Sequence, residues 1–185
     1  MTDKFKKIIT YVLVALIFFV AGMIFSPEGK VVRGIKKSLQ YTKAVAQKLY
    51  DGWEKENLFF DDGTSLKDFE DSNETYIIYF WAAWCPHCRN INSDVNSLKD
   101  AGLPVIGLTF DRQREEYDSY LAENPPFWKD LFCKNEDGNL DFCPRTDSLN
   151  IPSIPSVWVV KSGKVREIYR GEKKIRKFCE KTRKS

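Results

Sequence analysis

Residues Thr75–Trp81 read TYIIYFW, and after Ala82, Ala83 and Trp84 the chain continues Cys85-Pro86-His87-Cys88. An unbroken β-branched and aromatic run of this length predicts a strand buried on both faces at the centre of a sheet. Residues Pro86 to Asp100 carry Ile91, Val95 and Leu98 at helical spacing, which predicts a helix. The two cysteines therefore stand where a buried strand turns into a helix. There, free backbone N–H groups and the helix dipole favour an anion at Cys85, and the thiolate is the reactive form of cysteine. Cys88 follows one turn later on the same face, where it can resolve a mixed disulfide formed at Cys85. Pro86 suits the first helical turn, His87 adds a potential positive charge, and Trp84 would shield one side of the pair.

Two blander readings of the motif are weaker. Half of a zinc site needs further ligands, but the chain has one histidine and no second CxxC, and a structural zinc site takes four Cys or His ligands. A static staple across so short a loop would restrict the unfolded chain little. The cysteine pair reads as redox-active. The net charge of +3, from 29 Lys+Arg against 26 Asp+Glu, does not support a nucleic-acid binder, which would need a basic face. At 43% hydrophobic residues the chain has material for a core, and a disordered reading fails.

The remaining segments predict an α/β order. Residues 8–25 are uncharged and apolar, and 18 helical residues span about 27 Å, enough for a thin bilayer core. They read as an uncleaved transmembrane anchor, because Val20-Ala21-Gly22-Met23 matches a signal-peptidase site poorly. Lys4, Lys6 and Lys7 in the tail 1–7 are nearly balanced by Lys30, Arg33, Lys36 and Lys37, so the positive-inside rule does not by itself orient the segment. Residues 26–57 read as a juxtamembrane amphipathic spacer, with Val32, Ile35, Leu39, Ala46, Leu49 and Trp53 on one face. That face is expected to lie on the domain, or to pair with a second copy through residues 30–53. A hairpin is expected around Asp61-Asp62-Gly63-Thr64. Strands are expected at Pro104–Phe110, Ser156–Val160 and Val165–Tyr169. Helices are expected at Arg112–Glu123 and Glu172–Lys181.

Three motifs carry a family resemblance. Trp81-Ala82-Ala83-Trp84-Cys85-Pro86-His87-Cys88 resembles the active-site run of the thioredoxin superfamily. Asn150-Ile151-Pro152-Ser153-Ile154-Pro155-Ser156-Val157 resembles its cis-proline loop, with Pro155 at the proline position and Ile154 offering backbone to substrate. Phe60-Asp61-Asp62-Gly63-Thr64-Ser65-Leu66-Lys67-Asp68-Phe69 is similar to the hairpin preceding the active site in TlpA-like and DsbE-like proteins. These are membrane-anchored, extracytoplasmic thiol–disulfide oxidoreductases. The resemblance implies a thioredoxin-like three-layer α/β sandwich with a mixed central sheet over residues 58–185. It also implies exchange with protein thiols or disulfides and a membrane electron donor or acceptor. No metal, nucleotide or flavin cofactor is expected, since the sequence carries no phosphate-binding glycine motif. Two departures stand out. Tyr79 occupies the position of the buried aspartate of thioredoxins, and Pro86-His87 resembles the dipeptide of DsbA-like oxidases.

Cys133 and Cys143 flank KNEDGNLD, whose Asp137-Gly138-Asn139 turn predicts that they face each other across a hairpin. A structural disulfide is expected, with a second redox pair as the alternative. Such a bridge implies an oxidising compartment, with the domain outside the cell membrane and the N-terminus inside. Cys179 is expected to be a half-buried core thiol or a dimer link. Three functions remain open at this point: a reductase fed through the membrane, a DsbA-like oxidase or isomerase, and a non-catalytic binding module with a thioredoxin groove.

Overall fold

The computed structural model describes residues 43–143 and 153–184. The chain divides into two compact units, Met1–Ala44 and Val45–Ser185, and the architecture here is that of the second. The segment 8–25 and the tail 1–7 lie outside the described residues, as do residues 26–42 of the expected spacer. No helix among the described residues is long and apolar enough to cross a membrane.

The central sheet has five strands in the order β4-β3-β2-β7-β8. They are β2 (Thr75–Trp81), β3 (Val105–Thr109), β4 (Lys129–Asp130), β7 (Ser156–Lys161) and β8 (Lys164–Arg170). β2 runs parallel to β3 and antiparallel to β7, so the sheet is mixed. β2 is central and covered on both sides, which explains why TYIIYFW lacks an alternating polar face. Its side chains still alternate. Tyr76, Ile78 and Phe80 enter one core with Trp158 and Val160. Ile77, Tyr79 and Trp81 enter the other with Val105 and Val157.

Helix α1 (described over residues 43–51) and α2 (Leu66–Ser72) cover the first face, contributing Ala46, Tyr50 and Leu66. The second face carries α3 (Pro86–Arg89), α4 (Asn92–Asn96), Tyr117 of α5 (Arg114–Glu123), and α6 (Glu172–Thr182). This is the three-layer α/β sandwich. The core reaches further back than residue 58, because Ala46, Tyr50 and Trp53 are all buried within it. The Tyr50 hydroxyl bonds Glu70 and Tyr76, and Lys55 pairs with Glu70 at 2.9 Å. Ala46, Leu49 and Trp53 of the 30–53 face thus pack on the chain's own domain.

Two local expectations are corrected. The helix from Pro86 to Asp100 is broken into α3, α4 and a 3-10 turn at Ser97–Ala101. The break falls at Asn90-Ile91. There the Tyr79 hydroxyl reaches the Cys88 carbonyl at 3.4 Å and the Asn92 side chain at 2.9 Å. The turn at 61–64 closes the expected short hairpin: Phe60 N–H donates to the Thr64 carbonyl at 2.9 Å, and Phe59 bridges Ser65 in antiparallel fashion. Ser65 caps α2, its hydroxyl accepting from Asp68 N–H at 3.1 Å. β1 (Leu58–Phe59) also pairs with β5 (Phe132–Lys134) in a small second sheet completed by β6 (Leu140–Asp141). In that sheet Cys133 faces Asp141 rather than Cys143. The Asn135 side chain accepts from Asp137 N–H and Asn139 N–H, tightening the turn and shifting the register by two residues.

Candidate active site

Ala82 to Cys88 form a short, strongly held bridge between β2 and α3. Cys85 is the N-cap of α3, and its sulfur accepts the Cys88 N–H at 3.3 Å. Pro86 occupies the first turn. Cys85 is 4% exposed and Cys88 fully buried, and a disulfide joins them. The order is the one that nucleophilic exchange needs: an outer sulfur at a helix start and an inner sulfur one turn behind it.

Three contacts fix the approach to Cys85. The Ala83 N–H is held by the buried Asp111 carboxylate, at 3.1 and 2.9 Å to its two oxygens. The Ala83 carbonyl accepts from Arg89, and the exposed Trp84 indole donates to the Phe110 carbonyl at 3.3 Å. Trp84 also forms one wall of an open groove of about 370 Å³ with Arg112, Gln113 and Glu116.

His87 points outward, and its Nδ1 lies 3.0 Å from Glu172 at the start of α6. That contact holds the Glu172 carboxyl below its ordinary pKa. The Ile154–Pro155 peptide is cis, and the Pro155 carbonyl accepts the Gly171 N–H at 3.0 Å. Ile154 is partly buried against the cluster containing Cys85 and Cys88. The active-site helix, the Pro155 loop and the start of α6 therefore meet at one rim. Residues 144–152, including the extra Pro152, lie outside the described residues.

A family model described as thioredoxin-like matches residues 73–165, about half of the chain. The chain belongs to the thioredoxin-like family. It is 33% identical over 55 residues to a thioredoxin-like protein of Haemophilus influenzae, covering 29% of this chain and 33% of that one. It is also 33% identical over 57 residues to the thiol:disulfide interchange protein DsbE of Escherichia coli, covering 30% of this chain and 31% of that one. These matches span about a third of each curated relative. A solved structure of a putative DsbE from Chlorobium tepidum has a TM-score of 0.52 at 20% identity, covering 68% of this chain and 87% of that one. That likeness concerns the fold.

Within this thioredoxin-like frame, two buried carboxylates had no counterpart in the sequence reading. Asp111 ends the β3 region, where its carboxylate also accepts from the Thr109 hydroxyl at 2.5 Å. Asp130, on β4, accepts from the Trp81 indole and the Tyr117 hydroxyl, each at 2.8 Å. Burial pushes the Asp130 carboxyl up to about 6, against the pull of those two donors. Each acid stands beside a basic residue at the end of an otherwise apolar run, Asp111-Arg112 after GLTF and Lys129-Asp130 between Trp128 and Leu131, so the sequence carries no clear signal that either is buried. At Tyr79, where thioredoxins carry an acid, burial raises the phenol well above its usual value.

Cys133 and Cys143 form a second disulfide. Cys179 is fully buried rather than half-buried, and burial pushes its thiol up to about 12. It is therefore neither a reactive thiolate nor an accessible dimer link. Among the described residues no group of three or more His, Cys, Asp or Glu side chains is arranged to hold a metal.

Proposed function

We propose that this protein is a DsbE-type thiol–disulfide oxidoreductase that acts on protein disulfides outside the cytoplasm, running chiefly as a reductase. The carrying observation is the outer Cys85 sulfur at the α3 N-cap, hydrogen-bonded by Cys88 N–H, above a fully buried Cys88. The Cys85 thiolate attacks one sulfur of a client disulfide, forming a mixed disulfide and releasing the client's other sulfur as a thiolate. The Cys88 thiolate then attacks Cys85 Sγ, and the client's second thiolate leaves. The client gains two electrons, and the Cys85–Cys88 pair becomes a disulfide that a membrane dithiol donor must reduce. His87 and the α3 start tune the pair, Trp84 and Ile154-Pro155 border the client groove, and the apolar run 8–25 serves as a single-pass anchor.

The test is the reduction potential of the Cys85–Cys88 pair in the full chain, equilibrated in glutathione buffers. A reductase predicts a value near thioredoxin's, about −270 mV, and a value near about −120 mV overturns that direction. His87 favours the oxidase as the second reading, since the thiolate-stabilising effect of a protonated imidazole at this position favours the reduced form. A Cys85→Ala chain that keeps its biological activity rules out both, leaving a binding module.

A further inference from the structure

Helix α6 starts at the rim of the site, with Gly171 bonded to Pro155 and Glu172 to His87. Its inner face, Ile175 and Cys179, is fully buried, while Lys173, Lys174 and Lys177 are exposed. None of these three lysines has an ion-pair partner among the described residues. Cations in the first turn of a helix oppose its dipole, and Gly171 provides no side-chain cap, so helix stability does not account for Lys173 and Lys174. Across the motif the groove beside Trp84 carries exposed Arg112 and Glu116 together, so the excess positive charge lies on the α6 side. Glu172 at the start of α6 is already engaged by His87 and Arg176.

We propose that this cationic rim docks an acidic client, a polypeptide with Asp or Glu residues flanking the cysteines it exchanges. The inference rests on the oxidoreductase reading above and names the substrate class of the same site. Charge complementarity of this kind acts mainly on encounter rate, and it fades with salt. It also rejects clients with basic flanks, because like charges meet at the rim.

The experiment uses the reduced full chain and three peptides, each with one internal disulfide and flanks of Glu, Gln or Lys. Second-order exchange rates are followed at an ionic strength of about 0.01 M, where the screening length is ~30 Å, and again at about 1 M, where it is ~3 Å. The expected result is a rate roughly tenfold higher for the Glu than for the Gln peptide at low salt, shrinking toward equality at high salt. In a K173Q/K174Q/K177Q chain the Glu-peptide rate should fall toward the Gln-peptide rate. Equal Glu and Gln rates in the unmodified chain overturn the proposal but leave the oxidoreductase reading standing. So does a preference that survives the triple substitution. Exchange with none of the three peptides overturns the oxidoreductase reading itself. Vesicles with and without phosphatidylglycerol provide the remaining arm. If the triple substitution abolishes a preference for the anionic vesicles but leaves the peptide rates unchanged, the rim serves a membrane surface and the client proposal falls.

Discussion

The Asp111 carboxylate and the Ala83 N–H are joined twice over, at 3.1 and 2.9 Å, although 28 residues separate them. Ala83 lies two residues before the outer cysteine, so a side chain at the end of β3 sets the backbone path into the active site. The same carboxylate accepts from the Thr109 hydroxyl. Asp111→Ala leaves two buried donors without an acceptor, which costs about 1–3 kcal/mol for each such group. The urea midpoint should fall accordingly, and exchange through Cys85 should slow more than in Asp111→Asn, which keeps one acceptor oxygen. Equal exchange rates for the two variants would mean that Asp111 supports the fold without positioning Cys85.

Asp130 makes stability fall with rising pH. Its carboxyl is pushed from 3.8 up to about 6, mainly by burial. The folded chain therefore binds this proton more tightly than the unfolded chain does. The stabilisation is complete below about pH 4 and is lost as the pH rises through about 6, a loss of roughly 3 kcal/mol at 1.36 kcal/mol per pH unit. Urea melts of the wild type and Asp130→Asn between those pH values should differ in slope, with the variant flatter. Parallel curves refute the assignment.

Gly107 makes room for that acid. A Cβ there would lie 1.8 Å from Asp130 Oδ1 and 2.7 Å from Trp128 Cδ1. Gly107→Ala should cost about 3 kcal/mol or more, near the upper end for overpacking. Pairing it with Asp130→Ala, which vacates the overlap, should recover part of that loss in thermal melts. Simple additivity of the two losses would mean that the clash is not the cause.

His87 couples the motif to α6. His87→Ala should let the Glu172 carboxyl return upward toward its ordinary range, because the His87 contact is the largest influence lowering it. Carboxyl-carbon NMR titration reads that change directly. Loss of the imidazole should also make the Cys85–Cys88 pair more reducing, by about tenfold in its equilibrium with glutathione, or ~30 mV. An unchanged potential would remove His87 from the tuning role.

The Cys133–Cys143 bridge closes a hairpin with a sequence separation of 10. A loop of that length predicts roughly 3 kcal/mol of chain-entropy stabilisation. A chain with both cysteines changed to serine should melt lower by that amount while the Cys85–Cys88 potential stays the same. A shifted potential would favour the relay reading instead.

Much of the architecture was legible because it depends on local pattern. β2 announced itself by an unbroken apolar run, and the cysteine pair by its place at the strand-to-helix junction. Ile91, Val95 and Leu98 are buried even though the helix carrying them is interrupted. Their spacing reports burial, whereas the interruption depends on Tyr79, a residue of another element. The β5–β6 register was off by two for a similar reason, since the Asn135 side chain decides how the turn closes.

The sequence by itself determined which chemistry the chain carries and where it sits along the backbone. Cys85-Pro86-His87-Cys88 needs only its neighbours to become a strand-end and helix-start pair. The tertiary structure alone decided what surrounds that pair. Asp111 reaches Ala83, Glu172 reaches His87, and Gly171 reaches Pro155 across 28, 85 and 16 positions of sequence. Hydrogen bonds and charge contacts act over a few ångströms of space. Contacts between residues so distant in the chain leave no periodic trace in the sequence, and they exist only once the sheet has brought its strand ends to one rim.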